Sequence, residues 1–313
     1  SVVLGSKALT VSAGTGTFSG VLSGAGQFGL SGGTLTLTGA NSYSGGTTIA
    51  GGTLKGTSTS LQGPILNDSA LEFIQATDGT YAGSITGTGT LAKSGSGALT
   101  LTGSSAIGGA TTVSAGRLAV NGTLATGGLT VANGAVLSGS GTITVADNGI
   151  LAVSSGATLA PGNSPGTLMV NGSVTLASGS TMAVDIDGAS WSAGGGAGSY
   201  DRLVVNGTVT LGGTIVPTLR GITGAATNSY TPALGSRYTV VSATAVKGRF
   251  DTVVQPASGL AANTRFDALY TDTTAQLVVT PVSFGSLGAT SGWNSNTRAT
   301  ATALDSLRGN AAN

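Results

Sequence analysis

Leu35-Thr36-Leu37-Thr38-Gly39-Ala40-Asn41-Ser42-Tyr43-Ser44-Gly45-Gly46-Thr47-Thr48-Ile49, with Gly51-Gly52-Thr53-Leu54 behind it, is the stretch that decides the fold. Apolar side chains alternate with threonine or serine for a few residues, a glycine- or asparagine-rich corner follows, and the pattern restarts. A degraded copy runs from Leu99-Thr100-Leu101-Thr102-Gly103 through Gly108-Gly109-Ala110-Thr111-Thr112-Val113 to Gly116-Arg117-Leu118. Alternation of this kind is the mark of a half-buried strand, because successive side chains point to opposite faces. Strands this short cannot bury a face alone, so they must stack on copies of themselves.

Composition narrows the reading further. Of 313 residues only 7% are charged and 4% aromatic, while 40% are hydrophobic and 55 are glycine. Low charge with ample apolar content is the reverse of a disordered chain, and glycine without a strict three-residue period excludes collagen. A net charge of +1 offers no electrostatic case for nucleic acid. The absence of cysteine removes disulfides and thiolate chemistry, and fits export through an oxidising compartment. The expected architecture is all-β: a right-handed parallel β-helix whose coils pair at about 4.8 Å. About a dozen coils would make a rod of roughly 60 Å. An antiparallel sandwich is the alternative.

Three regions follow from texture. Residues 1–158 are nearly pure strand and corner, including Gly20 to Phe28 and its answer Gly83 to Leu91; both precede their copies of the decisive phrase, so the larger repeat spans two or three coils. Residues 159–281 carry a β cap: six of seven prolines lie from Pro161 onward, and nine of fourteen aromatics from Trp191 onward. Denser aromatic packing buries more area per residue, and a cap closes the sticky end of a strand stack. Its expected core is Leu203, Val205, Val209, Leu211, Tyr238, Val240, Phe250 and Leu277. Residues 282–313 form a linker with a short helix over 297–308, capped by Asn296, with Ala301, Leu304 and Leu307 at helical spacing. The opening residues read as mid-repeat, with no basic-then-apolar leader, which suggests a piece of a longer chain.

The unit Gly33 to Ile49 resembles the passenger-associated transport repeat of bacterial autotransporters, the type V secretion family. Leu159-Ala160-Pro161-Gly162-Asn163-Ser164-Pro165-Gly166-Thr167-Leu168 is similar to a phrase common in such passengers. Gly235 to Ser242, Gly248-Arg249-Phe250-Asp251 and Leu277-Val278-Val279 resemble their C-terminal junction, and the final helix resembles the linker into an outer-membrane barrel. The resemblance implies a β-helical stem with a folding-promoting, autochaperone-like cap. The implied location is the cell surface or outer membrane of a Gram-negative bacterium, or the medium after cleavage. The implied partners are the chain's own barrel and an N-terminal effector, which in subtilisin-like relatives is a serine protease; neither lies within these residues.

Chemical motifs read as structure. Gly29-Leu30-Ser31-Gly32-Gly33 and Gly162-Asn163-Ser164-Pro165-Gly166 both satisfy the nucleophile-elbow pattern. A catalytic serine needs a base, though, and the chain has no histidine and no lysine three residues after a serine. Gly24-Ala25-Gly26-Gln27-Phe28-Gly29 matches a dinucleotide fingerprint but leads into a strand, with no helix N-terminus to hold a phosphate. Asp185-Ile186-Asp187-Gly188 hints at a calcium loop, yet Glu72 is the only glutamate. Asn67, Asn121, Asn171 and Asn206 fit the glycosylation pattern, and three of them precede glycine, where turn chemistry suffices. Asp68, Glu72 and Asp78 are the acids that could converge in a polysaccharide-cleaving groove. No catalytic, cofactor-binding or metal-ligating residue is assigned, no cofactor is expected, and the fragment is read as non-enzymatic. The functional expectation is a stem and autochaperone. The alternatives are an adhesin whose flat threonine faces meet a host surface or sister molecules, and the stem of a protease passenger.

Overall fold

The computed structural model describes residues 1–147, 149–192, 194–287 and 292–308, and it is a parallel β-solenoid. Inward side chains form continuous ladders along the axis. One runs Leu35, Leu54, Leu71, Leu91, Thr111, Leu129, Leu151, Val174, Val209 and Val246, each paired with the next in parallel register. A second face stacks Leu99, Leu118, Leu137, Leu159, Met182, Ile215 and Val253. A third includes Leu124, Ile143, Val170 and Val205. The ladders pass through Leu159 without a break, across the point where sequence texture changes.

The coil count departs from expectation. There are about nine turns where about a dozen were expected, which shortens the rod to about 40 Å. The reason is coil length. Nineteen residues separate Leu99 from Leu118 and Leu118 from Leu137. The step grows to 33 between Met182 and Ile215, and to 38 between Ile215 and Val253, as loops are let into the corners. The repeated phrase also lands differently from its sequence. Leu35 and Leu91 share one ladder, whereas Leu99, the counterpart of Leu35, lies on the next face. The larger repeat is therefore three coils plus one face.

Corner residues explain the glycine content. Gly14, Gly33 and Gly52 stack at one corner with φ of +118°, +77° and +80°. A Cβ on Gly33 would lie 1.9 Å from the Gly14 carbonyl oxygen. No larger residue fits there. Asn41 of the decisive phrase stitches three coils: its Oδ1 accepts from Leu22 N–H at 2.8 Å, and its Nδ2 donates to Ser60 O at 2.6 Å. Tyr43, fully buried, shares a hydrogen bond with Thr47 at 2.7 Å.

One inward rung is a lysine. Lys93 stands between Phe73 and Val113 with no exposed surface. Its Nζ donates to the carbonyls of Ser94, Gly95 and Ala115 at 2.9, 2.9 and 3.1 Å. Burial lowers its pKa, against the pull of Asp78. A buried charge satisfied only by carbonyls seldom beats an apolar side chain of equal volume. Lys93→Met should therefore leave the urea midpoint unchanged or raise it. Lys93→Ala, which opens a cavity, should cost about 2 kcal/mol or more. A Lys93→Met protein much weaker than wild type would show the carbonyl contacts to be net stabilising.

Candidate functional site: the C-terminal cap

The best-defined cluster of interactions sits where the stack ends. Strand Arg202–Leu211 pairs in parallel with Arg237–Gly248, which pairs antiparallel with Thr274–Pro281, itself in an antiparallel hairpin with Thr264–Tyr270. Pairing thus reverses direction at the last full coil. Below the hairpin Tyr238 is fully buried, edge-on to Tyr200 at 5.4 Å, Phe266 at 6.0 Å and Tyr230 at 6.4 Å. Edge-to-face geometry is the preferred aromatic arrangement. The Tyr230 and Tyr238 hydroxyls are 2.7 Å apart, and burial pushes the Tyr238 pKa up. All eight expected core residues of the cap, from Leu203 to Leu277, are buried.

Carboxylates, two of them buried, pin the inserted loops. Asp187 accepts from Gly198 N–H, Thr227 N–H, the Thr227 hydroxyl and Asn228 N–H, each at 2.9 Å. Burial opposes its ionisation, but these donors prevail and hold its pKa below the usual range. Asp201 accepts from Gly166 N–H at 2.6 Å and Asp185 N–H at 2.9 Å, which ties down the Pro161 to Gly166 loop. Here burial, aided by the Asp185 carboxyl, outweighs the N–H donors and pushes the pKa up to about 8. Asp251 accepts from Gly213 N–H and the Ser178 hydroxyl, both at 2.9 Å. The Gln255 side chain bonds the backbone of Phe266 both ways, accepting at 2.8 Å and donating at 3.0 Å.

Residues singled out in the sequence are mostly kept apart. Asp185 and Asp187 form no shared loop: the first bonds Ser164 and Thr218, the second the partners above. Asp68 accepts from Thr88, Glu72 pairs with Lys55 at 2.9 Å, and Asp78 accepts from Ala98 N–H. Among the described residues no group of three acids or other metal-ligating side chains is assembled. Asn67 is wholly buried, donating to Thr90 O at 2.9 Å. Asn206 donates to Asn171 at 2.8 Å in a corner ladder. Sequence reading missed Lys93, although alternation from Leu91 already placed it inward. It also missed Gln255, for which no local pattern exists.

The terminal helix needs correction. Helix α2 spans Ser295–Leu307 and is capped by Asn294, whose side chain accepts from Thr297 N–H at 2.9 Å. Asn296, the expected cap, lies inside the first turn, where its carbonyl accepts from the Thr300 hydroxyl. Only Ala301 of the apolar spacing is buried; Leu304 and Leu307 are exposed. A short helix α1, Phe284–Leu287, precedes it. Asp305 receives Phe284 N–H and Gly285 N–H, and Arg308 pairs with Asp267 at 2.7 Å. Residues 288–291 and 309–313 of the expected linker lie outside the described residues.

Residues 30–55 and 91–120 match the passenger-associated transport repeat. These repeats and the β-solenoid fit an autotransporter passenger. Comparison with curated proteins finds no match. The two matched segments of the chain include Asn41, Tyr43 and the buried Lys93.

The protein's pH response follows from Asp201. An acid whose folded pKa is raised favours the neutral form, so its contribution is complete below about pH 4 and is lost as pH rises through about 8. Thermal midpoints should fall from pH 5 to 9. Asp201→Asn, which cannot ionise, should flatten that slope even though it leaves Asp185 N–H facing an amide. Parallel slopes for the two proteins would place the titration elsewhere.

Proposed function

We propose that this chain is the non-catalytic stem and folding-promoting cap of an autotransporter passenger. In that role it supports the export and surface display of an N-terminal effector through the chain's own outer-membrane barrel. The observation that carries the reading is the reversal from parallel to antiparallel pairing at 237–281, which closes one end of the stack over an aromatic cluster. A closed end can fold without a further neighbour on that side. An open coil cannot, because its inward row stays wet until the next coil arrives.

The mechanism is directional stacking. The cap forms first outside the barrel and offers a strand edge, and each earlier coil adds to it. Release of apolar side chains from water on one side of the membrane then biases the chain outward, with no nucleotide consumed. Coils of about twenty residues keep each step local, so each addition closes only a short loop.

Two outcomes test this. Deleting residues 161–281 from the full passenger should abolish display or leave a protease-sensitive product; a displayed, resistant product would overturn the role. Tyr238→Ala should cost about 3 kcal/mol or more and slow refolding. Leu71→Ala, in a middle coil, should mainly accelerate unfolding. Equal partition of both effects between folding and unfolding rates would show that the cap is not the nucleus.

A further inference from the structure

A concavity of about 370 Å³ is an open slot between residues 249–253 and strand Thr264–Tyr270, with Arg308 at its rim. Its floor is a strand edge. Val279 directs its N–H and C=O to Ser236 and Gly235, away from the hairpin partner. Phe266, opposite Val279, turns its own N–H and C=O outward to Gln255. Alternate residues of a strand share an edge, so Ala268 also presents its N–H and C=O outward. Among the described residues no partner meets Ala268 there. Gln255 already supplies to Phe266 the donor–acceptor pair that an added backbone would offer.

The slot also holds a guanidinium without an ion-pair partner. Arg265 and Arg308 both pair with Asp267, at 2.8 and 2.7 Å, and Arg308 also reaches Asp305 at 3.8 Å. Asp251 is engaged by Gly213 and Ser178. Arg249 lies over the Tyr270 ring at 5.6 Å and makes no ion pair among the described residues. Arg249 is thus the one guanidinium of the slot without a carboxylate partner among the described residues.

We propose that this slot receives an extended peptide segment of another chain, which adds as a strand along the Ala268 edge and sets an acidic side chain against Arg249. Strand addition supplies main-chain hydrogen bonds, and the flanking charge selects the sequence. A carboxylate on a guanidinium forms the stronger, charge-assisted kind of hydrogen bond. The site is independent of the export role.

Hydrogen exchange and peptide titration of the intact chain test it. In the free protein the Ala268 amide should exchange fast and that of Leu269 slowly. A capped Thr-Val-Glu-Val-Glu-Thr peptide should protect Ala268 and bind about tenfold more tightly than its lysine-for-glutamate counterpart. Added salt should narrow that gap. Arg249→Glu should abolish or invert the preference. Ala268→Pro removes only an outward donor and should weaken binding of the acidic peptide; should that variant fail to fold, Arg249→Glu and the exchange data still decide. A slowly exchanging Ala268 amide, equal binding of the two peptides, or indifference to Arg249→Glu would each overturn the proposal. Inorganic phosphate displacing the acidic peptide at equal concentration would do so too, since it would reduce the slot to an anion site.

Discussion

Each coil of this protein can bury its inward row only against the coils before and after it. A flat coil of about twenty residues has no interior of its own, so burial is a property of the stack. The leucine and valine ladders are the result. The chain solves the same problem at every rung with the same small set of residues, and this is why its composition is so narrow. Threonine suits the outward positions for the same reason, being β-branched, stiff and soluble on one face of a pleated sheet.

A stack of interchangeable rungs is easy to extend and hard to keep in register. Apolar rungs alone would tolerate a slip of one coil, since leucine meets leucine either way. Polar groups inside the coil remove that freedom. Asn41 must find Leu22 N–H on one side and Ser60 O on the other, and Lys93 must reach the Ala115 carbonyl. A slipped coil would leave these groups buried without partners, at about 1–3 kcal/mol each and more for the charge. In the later coils, where loops of different length already make each rung distinct, buried carboxylates take over. Asp187 and Asp201 hold those loops down by collecting backbone N–H groups. Asp185 and Asp187, which read in sequence as a calcium hint, are likewise consumed by the fold, the first bonding Ser164 and Thr218 and the second Gly198, Thr227 and Asn228.

How much of this was legible follows from which features are local. Strand alternation, corner glycines and the aromatic shift after Trp191 are local, and the solenoid and the position of the buried cap residues could be read from them. The face assignment was not local. Leu35 and Leu99 sit in the same phrase yet on different faces, because any face accepts an apolar–threonine alternation. Coil length was equally hidden, since insertions at corners leave the rungs untouched. The helix cap moved from Asn296 to Asn294 because both asparagines offer a side-chain acceptor, and only the backbone path selects the one that meets Thr297. Gln255 and the slot beside Ala268 depend on residues that converge only after the hairpin has turned back on the last coil.

The change of strand direction at the cap accounts for both its closure and its remaining opening. Parallel coils present an edge that the next coil satisfies, so the pattern has no internal reason to stop. An antiparallel hairpin stops it: Thr274–Pro281 docks on the last coil strand against the coil direction, in the place the next coil would take, and Thr264–Tyr270 closes the hairpin on its far side. That strand still carries an unpaired edge. Gln255 covers it at Phe266, and the guanidinium groups of Arg249, Arg265 and Arg308 surround it at Ala268. Charged side chains around a free edge repel casual pairing between copies of the same chain, since each copy brings the same arginines. The device that prevents self-association leaves room for a strand of opposite charge.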